Sequence, residues 1–194
     1  MKSRINDILK EIEKKKKELV KEYELLKETY SFYIEGRKVI FSKKTKEYNK
    51  KFKQNLLKYI FTAKVRHIIS IPFIYGMIFP AFFLDLFLII YQQTCFRLYG
   101  IPLVKRRDFI IYDRRFLDYL NIIQKVNCIY CSRVNGLFSY AVEIAGRTEK
   151  YWCPIKASKK LKGGHPRQRY FADYGDPEGF KECFNKNDVF TKYD

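Results

Sequence analysis

The sequence predicts a mainly α-helical chain: an N-terminal amphipathic or coiled-coil helix, a membrane-embedded segment, and a small C-terminal helical domain on the cytosolic side. Three observations lead there. Apolar residues recur every three or four positions up to Tyr33, the stretch from Ile68 to Tyr91 is apolar almost throughout, and helical spacing resumes after Asp113.

Charge comes next. The 194 residues carry 39 Lys+Arg against 21 Asp+Glu, a formal net charge of +18. A chain of this length makes one or two domains, and so strong an excess asks for an anionic partner. Lys64 and Arg66 precede the apolar stretch, and Arg97, Lys105, Arg106 and Arg107 follow it, which is where anionic headgroups would lie. Membrane lipids are therefore expected as the partner rather than nucleic acid, for which the chain has no interleaved aromatic platform or reading motif. Met1 to Glu13 is rich in charge and lacks the apolar core of a secretory signal, so the N-terminus is expected to stay in the cytoplasm.

Residues 1–35 form the first expected element. Ile5, Ile8, Ile12, Leu19, Tyr23, Leu26 and Tyr30 make a seam at helical and heptad spacing. Such a helix either packs on the rest of the protein or pairs with a protein partner or a second copy, and Gly36 is expected to break it. Residues 36–67 read as a basic interfacial segment, with Tyr48, Phe52, Leu56, Tyr59 and Ile60 gathered on one side.

Residues 68–103 are the membrane-embedded region. From Ile68 to Tyr91 about two dozen helical residues would extend roughly 36 Å, enough for a hydrocarbon core of about 30 Å. Pro80 removes a backbone donor near its middle, so both a kinked single span and a hairpin turning at Pro80 fit. Both flanks are basic and give no orientation. Asp85 lies inside this run. It is either a proton or cation ligand within the membrane or the partner of an Arg or Lys from a neighbouring helix or second copy.

Residues 104–176 read as a helical cytosolic domain. A short strand is expected at Phe109 to Tyr112, then a helix capped by Asp113 and running through Phe116, Leu117, Leu120, Ile123 and Val126. A second helix follows from Gly136 to Tyr151, with Leu137, Tyr140, Ala141, Ile144 and Ala145 inward. Cys128 and Cys131 fall in the turn between them. Glu143 and Arg147, four apart, are expected to pair. Residues 177–194 read as a tail, loosely ordered towards its end.

Five cysteines, at 95, 128, 131, 153 and 183, form no disulfide framework in a chain without an export signal. Cys128-x-x-Cys131 has the spacing of a shared metal or a reversible dithiol. A tetrahedral zinc, or another thiophilic metal, would need two more ligands from Cys153, His165 and Cys183. A straight helix of about sixteen residues from Gly136 to Tyr151 would carry Cys153 roughly 24 Å away from Cys131, too far to share that ion. Metal site, redox dithiol and packed thiols all remain open. No glycine-rich phosphate loop and no serine-histidine arrangement is present.

The strings PFIYGMI, LDLF, YGIP, YLNxIxKxNCxYC and EIAxRTExYWCPIK resemble those of a family of uncharacterised bacterial membrane proteins with no established activity, over His67 to Gly175. The resemblance implies a bacterial membrane protein in which Cys128, Cys131 and Cys153 occupy a recurrent motif context. Where that family's pattern often continues with His after Cys-Pro-Ile-Lys, this chain has Ala157. The expected role is a membrane-anchored binding or assembly factor of the bacterial inner membrane, its soluble parts mainly cytoplasmic. The rival expectation is an enzyme at the membrane interface, using Cys128 and Cys131 as a redox dithiol or Asp85 or Glu143 in lipid modification.

Overall fold

In the computed structural model residues 2–36, 38–159 and 162–185 are described, and the chain is mainly helical. It divides into two compact units: Met1–Thr62 with Asp113–Cys128, and Ala63–Tyr112 with Ile129–Asp194.

The first unit opens with α1, Lys2–Thr29, a 28-residue helix. Ile8, Ile12, Leu19, Tyr23, Leu26 and Tyr30 of its seam are exposed; the side chain of Ile5 lies outside the described ones. Gly36 does not end this helix. It has φ +59° and lies in the connection of a hairpin, with β1, Phe32–Glu35, antiparallel to β2, Lys38–Phe41, and Phe32 opposite Phe41. The aromatic and β-branched residues on both sides of Gly36 favour strands, so the helix stops earlier.

The basic segment is two short helices rather than one. In α2, Lys43–Lys51, Ser42 Oγ accepts the Thr45 N–H at 3.2 Å; in α3, Leu56–Phe61, Asn55 Oδ1 accepts the Leu57 N–H at 3.0 Å. Each cap satisfies a backbone donor that the helix itself leaves open.

The second unit is built on the apolar stretch. α4, Val65–Gly76, and α5, Ile78–Tyr91, continue through a π-helical turn, Gln92–Phe96, into α6, Arg97–Tyr99. Together Val65–Tyr99 is 35 residues, long and apolar enough to cross a membrane, with 11 % of its most apolar window buried. Pro80 is not a reversal. It sits in the first turn of α5, and the ladder breaks at Met77, which keeps helical dihedrals of −64° and −10°. A proline ring clashes with the carbonyl four residues earlier, here Gly76, so the break falls on that side of it. Gly100, at φ +67°, ends the helix, and the Ile101 N–H donates to the Phe96 carbonyl at 2.8 Å. That closure is the left-handed glycine cap.

No strand forms at Phe109 to Tyr112. Instead α7, Ile122–Trp152, runs unbroken for 31 residues, through the region expected to be a loop. Its start is a capping box: the Asn121 N–H donates to Gln124 Oε1 at 2.9 Å, and the Gln124 N–H to Asn121 Oδ1 at 3.0 Å. Asp113 heads only a 3₁₀ turn, Asp113–Phe116. Gly136 starts no helix; it lets backbone approach α7, since a Cβ there would lie 2.6 Å from the Phe109 carbonyl oxygen and 2.9 Å from Ile110 Cα.

The core of this unit joins Ala81 and Phe96 to Ile101, Val104, Leu137, Tyr140 and Ile144. After α7 the Ala172 N–H donates to the Pro154 carbonyl at 2.9 Å, and the Lys156 N–H to the Ala172 carbonyl at 2.8 Å. Between these strands of chain lies a 3₁₀ turn, Pro166–Tyr170. The expected tail begins with α8, Pro177–Asn185; residues 186–194 lie outside the described ones.

Gly136→Ala tests the close approach. Helix propensity alone would favour alanine by about 1 kcal/mol, but the neighbours are backbone and cannot turn aside. The variant is expected to lose about 1–3 kcal/mol in denaturant unfolding; equal or higher stability would contradict this packing.

Candidate functional site

Polar side chains collect where α5 and the π-turn meet α7. On α5 the inward stripe is Ala81, Asp85 and Leu88, continued by Gln92 and Phe96, at spacings of three and four. On α7 the matching stripe is Arg133, Leu137, Tyr140, Ile144 and Arg147, again three and four apart. Residues so spaced share one helix face.

Asp85 is 4 % exposed. Its Oδ2 accepts from Nη2 of Arg106 and, at 2.5 Å, from Nη2 of Arg133. Seven residues on, Gln92 is equally buried. Its Oε1 accepts the Val104 N–H at 2.7 Å, and its Nε2 donates to Tyr140 Oη at 3.0 Å. Burial pushes the Tyr140 phenol above its ordinary value, outweighing the Gln92 hydrogen bond and the Arg106 charge.

Further along α7, Glu143 Oε1 accepts from Arg147 Nε at 2.9 Å and from Arg167 Nη2, while Arg147 Nη1 donates to the Pro102 carbonyl at 2.8 Å. Burial alone would raise the Glu143 carboxyl, but the hydrogen bonds and charges of Arg167 and Arg147 prevail and hold it below 4.5. His165 Nε2 meets Glu149 Oε2 at 2.6 Å, and its ring lies against Gly146, where a Cβ would come within 2.8 Å of it.

The structure separates the sequence-predicted metal ligands. Cys128 and Cys131 are half-buried one turn apart on α7, not in a turn between helices. Cys153 is exposed just past the end of α7, about 33 Å from Cys131 by helical rise. His165 is engaged by Glu149, and Cys183, on α8, has its Sγ 3.8 Å from the Tyr170 carbonyl. Among the described residues no group of three or more His, Cys, Asp or Glu is placed to hold a metal ion. Lys64, Arg66, Arg97, Lys105 and Arg107 are exposed, whereas Arg106 turns in to Asp85.

Sequence reasoning missed Gln92, Arg133 and Arg167. A signal existed for the first two: Gln92 follows Asp85 by one heptad on an otherwise apolar helix, and Arg133 precedes Tyr140 by one heptad. Arg167 comes from a turn remote in sequence and carried none. In the first unit a hollow of about 460 Å³ is walled by Tyr30, Phe32, Phe41 and Tyr119, with Asp113 and Arg114 among its lining. No family model, curated protein or solved structure matches the chain.

Glu143→Gln removes the charge that Arg147 and Arg167 share and is expected to cost about 1–3 kcal/mol at neutral pH. The folded carboxyl lies below its ordinary 4.5, so its contribution is whole above that value and fades as pH falls through the lower, folded one. Acid titration of thermal stability should thus show a smaller acid loss in the variant than in wild type. Equal acid losses would contradict this role.

Proposed function

We propose that this chain is a membrane-anchored binding or assembly factor, with Val65–Tyr99 as its anchor and α1 as the face offered to a partner or a second copy. One observation carries the anchor. Asp85, the one charged residue between Ile68 and Tyr91, and Gln92 just past that run point into the protein, while Phe73 and Phe87 on the other faces are 76 % and 65 % exposed. A helix at the core of a water-soluble protein shows the opposite pattern, with apolar residues inward and polar ones outward. An apolar face this wide suits lipid rather than water.

Exposed basic residues at both ends of the apolar run suit anionic headgroups. The partner-binding half of the reading is supported by α1, whose apolar seam is uncovered from Ile8 to Tyr30. A lone helix in water gains most of its stability from packing such a face.

The test is flotation of the full chain with phospholipid vesicles, followed by alkaline extraction. Wild type should float and resist extraction, and Phe83→Glu/Phe87→Glu, which places two charges on the exposed face, should release it. A wild-type chain that stays monodisperse in buffer without detergent would sink the proposal.

A further inference from the structure

We infer that Arg106 and Arg133, clamped together by Asp85, form a binding site for the phosphate headgroup of an anionic phospholipid. The inference rests on the membrane reading above and names the lipid chemistry that this part of the chain would take.

The geometry is that of an open clamp. Both guanidiniums converge on one oxygen, Oδ2 of Asp85. A guanidinium has five N–H donors in a fixed fork, and among the described residues neither arginine side chain makes a hydrogen bond other than the one to Asp85. Their side chains are 35 % and 31 % exposed, so donors remain open to the outside. Asp85 Oδ1 and Arg106 Nε are buried without partners. The cluster is therefore not closed upon itself.

Charge points the same way. Two cations share one anion, leaving a single positive charge and two like-charged groups drawn close together. A second anion on the open side would relieve that repulsion. Lys105, exposed beside Arg106, raises the local potential, while the charge of exposed Arg107 is met by Asp108 at 3.8 Å. The guanidinium fork matches the paired oxygens of a phosphate, which a lysine ammonium cannot do.

The surroundings select the source of the phosphate. Phe82 and Leu86, three residues before Asp85 and one after it on α5, are exposed at the flank of its face. A ligand that meets the two arginines there has apolar surface beside it, and a phosphate tethered to acyl chains fits where a free ion would gain nothing from those side chains. Glu143 with Arg147 and Arg167 offers no equivalent, because its arginines are far more buried and Arg147 is also bonded to the Pro102 carbonyl.

The experiment uses the full chain purified in detergent and transferred to bilayer discs of mixed phosphatidylglycerol and phosphatidylcholine, with co-purifying lipid counted by mass spectrometry. Wild type should retain phosphatidylglycerol in preference to phosphatidylcholine. Arg133→Gln should reduce that preference by about tenfold or more, and Arg133→Lys, which keeps the charge but not the fork, should lose most of it. Lys64→Gln removes the same charge from the flank and should leave the preference in place.

Wild-type preference in both Arg133 variants would overturn the site and make the cluster purely structural, whatever happens to the melting temperature. Displacement of the lipid by millimolar inorganic phosphate would overturn the lipid source. Resistance to it supports a tethered headgroup. A chain that floats yet shows no lipid preference overturns this inference alone, whereas one that fails to float overturns the anchor as well.

Discussion

A carboxylate inside an apolar helix is expensive unless opposite charge meets it, and Asp85 makes the second unit arrange itself accordingly. Removing such an ion from water costs several kcal/mol in practice, so the surrounding chain must bring cations to it. They come from two directions, Arg106 from the segment after the apolar helix and Arg133 from α7. Once both are seated, α5, that segment and α7 are tied at one point. The contacts of Gln92 with Val104 and Tyr140 repeat the tie one heptad further on.

Close packing then depends on what lies between these ties. Gly136 admits the backbone of Phe109 and Ile110, and Gly146 admits the ring of His165. Small residues at close approaches and hydrogen-bonding side chains as fasteners hold these loop segments against α7. The π-turn belongs to the same design. It winds Gln92–Phe96 so that Gln92 and Phe96, four apart, are both buried, one fastening the Val104 backbone and the other filling the core. The outward faces are left to aromatic and aliphatic side chains.

Much of this was legible in the sequence, and the rest fails for identifiable reasons. The apolar helix and α1 were readable because periodicity and composition are local. So was the Glu143 and Arg147 pair, which needs only a helix and a spacing of four. The hairpin at Gly36 is hard to see because a glycine after a long helix suits a helix stop, and only the β-formers on both sides of it favour strands. Two cap signals compete before α7: Asp113 heads a 3₁₀ turn, and the reciprocal cap of Asn121 and Gln124 sets the helix start. Gly136 was read as a boundary, yet its role is set by Phe109 and Ile110, a contact that no local pattern encodes. The cysteine spacing is ambiguous for the same reason: three residues apart means one thing in a turn and another on a continuous helix such as α7.

Two carboxylates in this unit each accept two arginines on a single oxygen, and burial separates their roles. Around Glu143 the side chains of Arg147, Glu143 and Arg167 are 11 %, 16 % and 11 % exposed. Charges so deep must be satisfied by the protein itself, and Arg147 reaches the Pro102 carbonyl to that end. Breaking such a cluster leaves a charge stranded, so its first duty is to hold the turn Pro166–Tyr170 against α7. Around Asp85 the carboxylate is just as secluded, but its arginines are not. The anion is used up in aligning two forks whose outer donors remain available, and alignment of that kind lowers the ordering cost for whatever binds next. The same pairing chemistry thus fastens the fold where the cations are buried and prepares a surface where they are not.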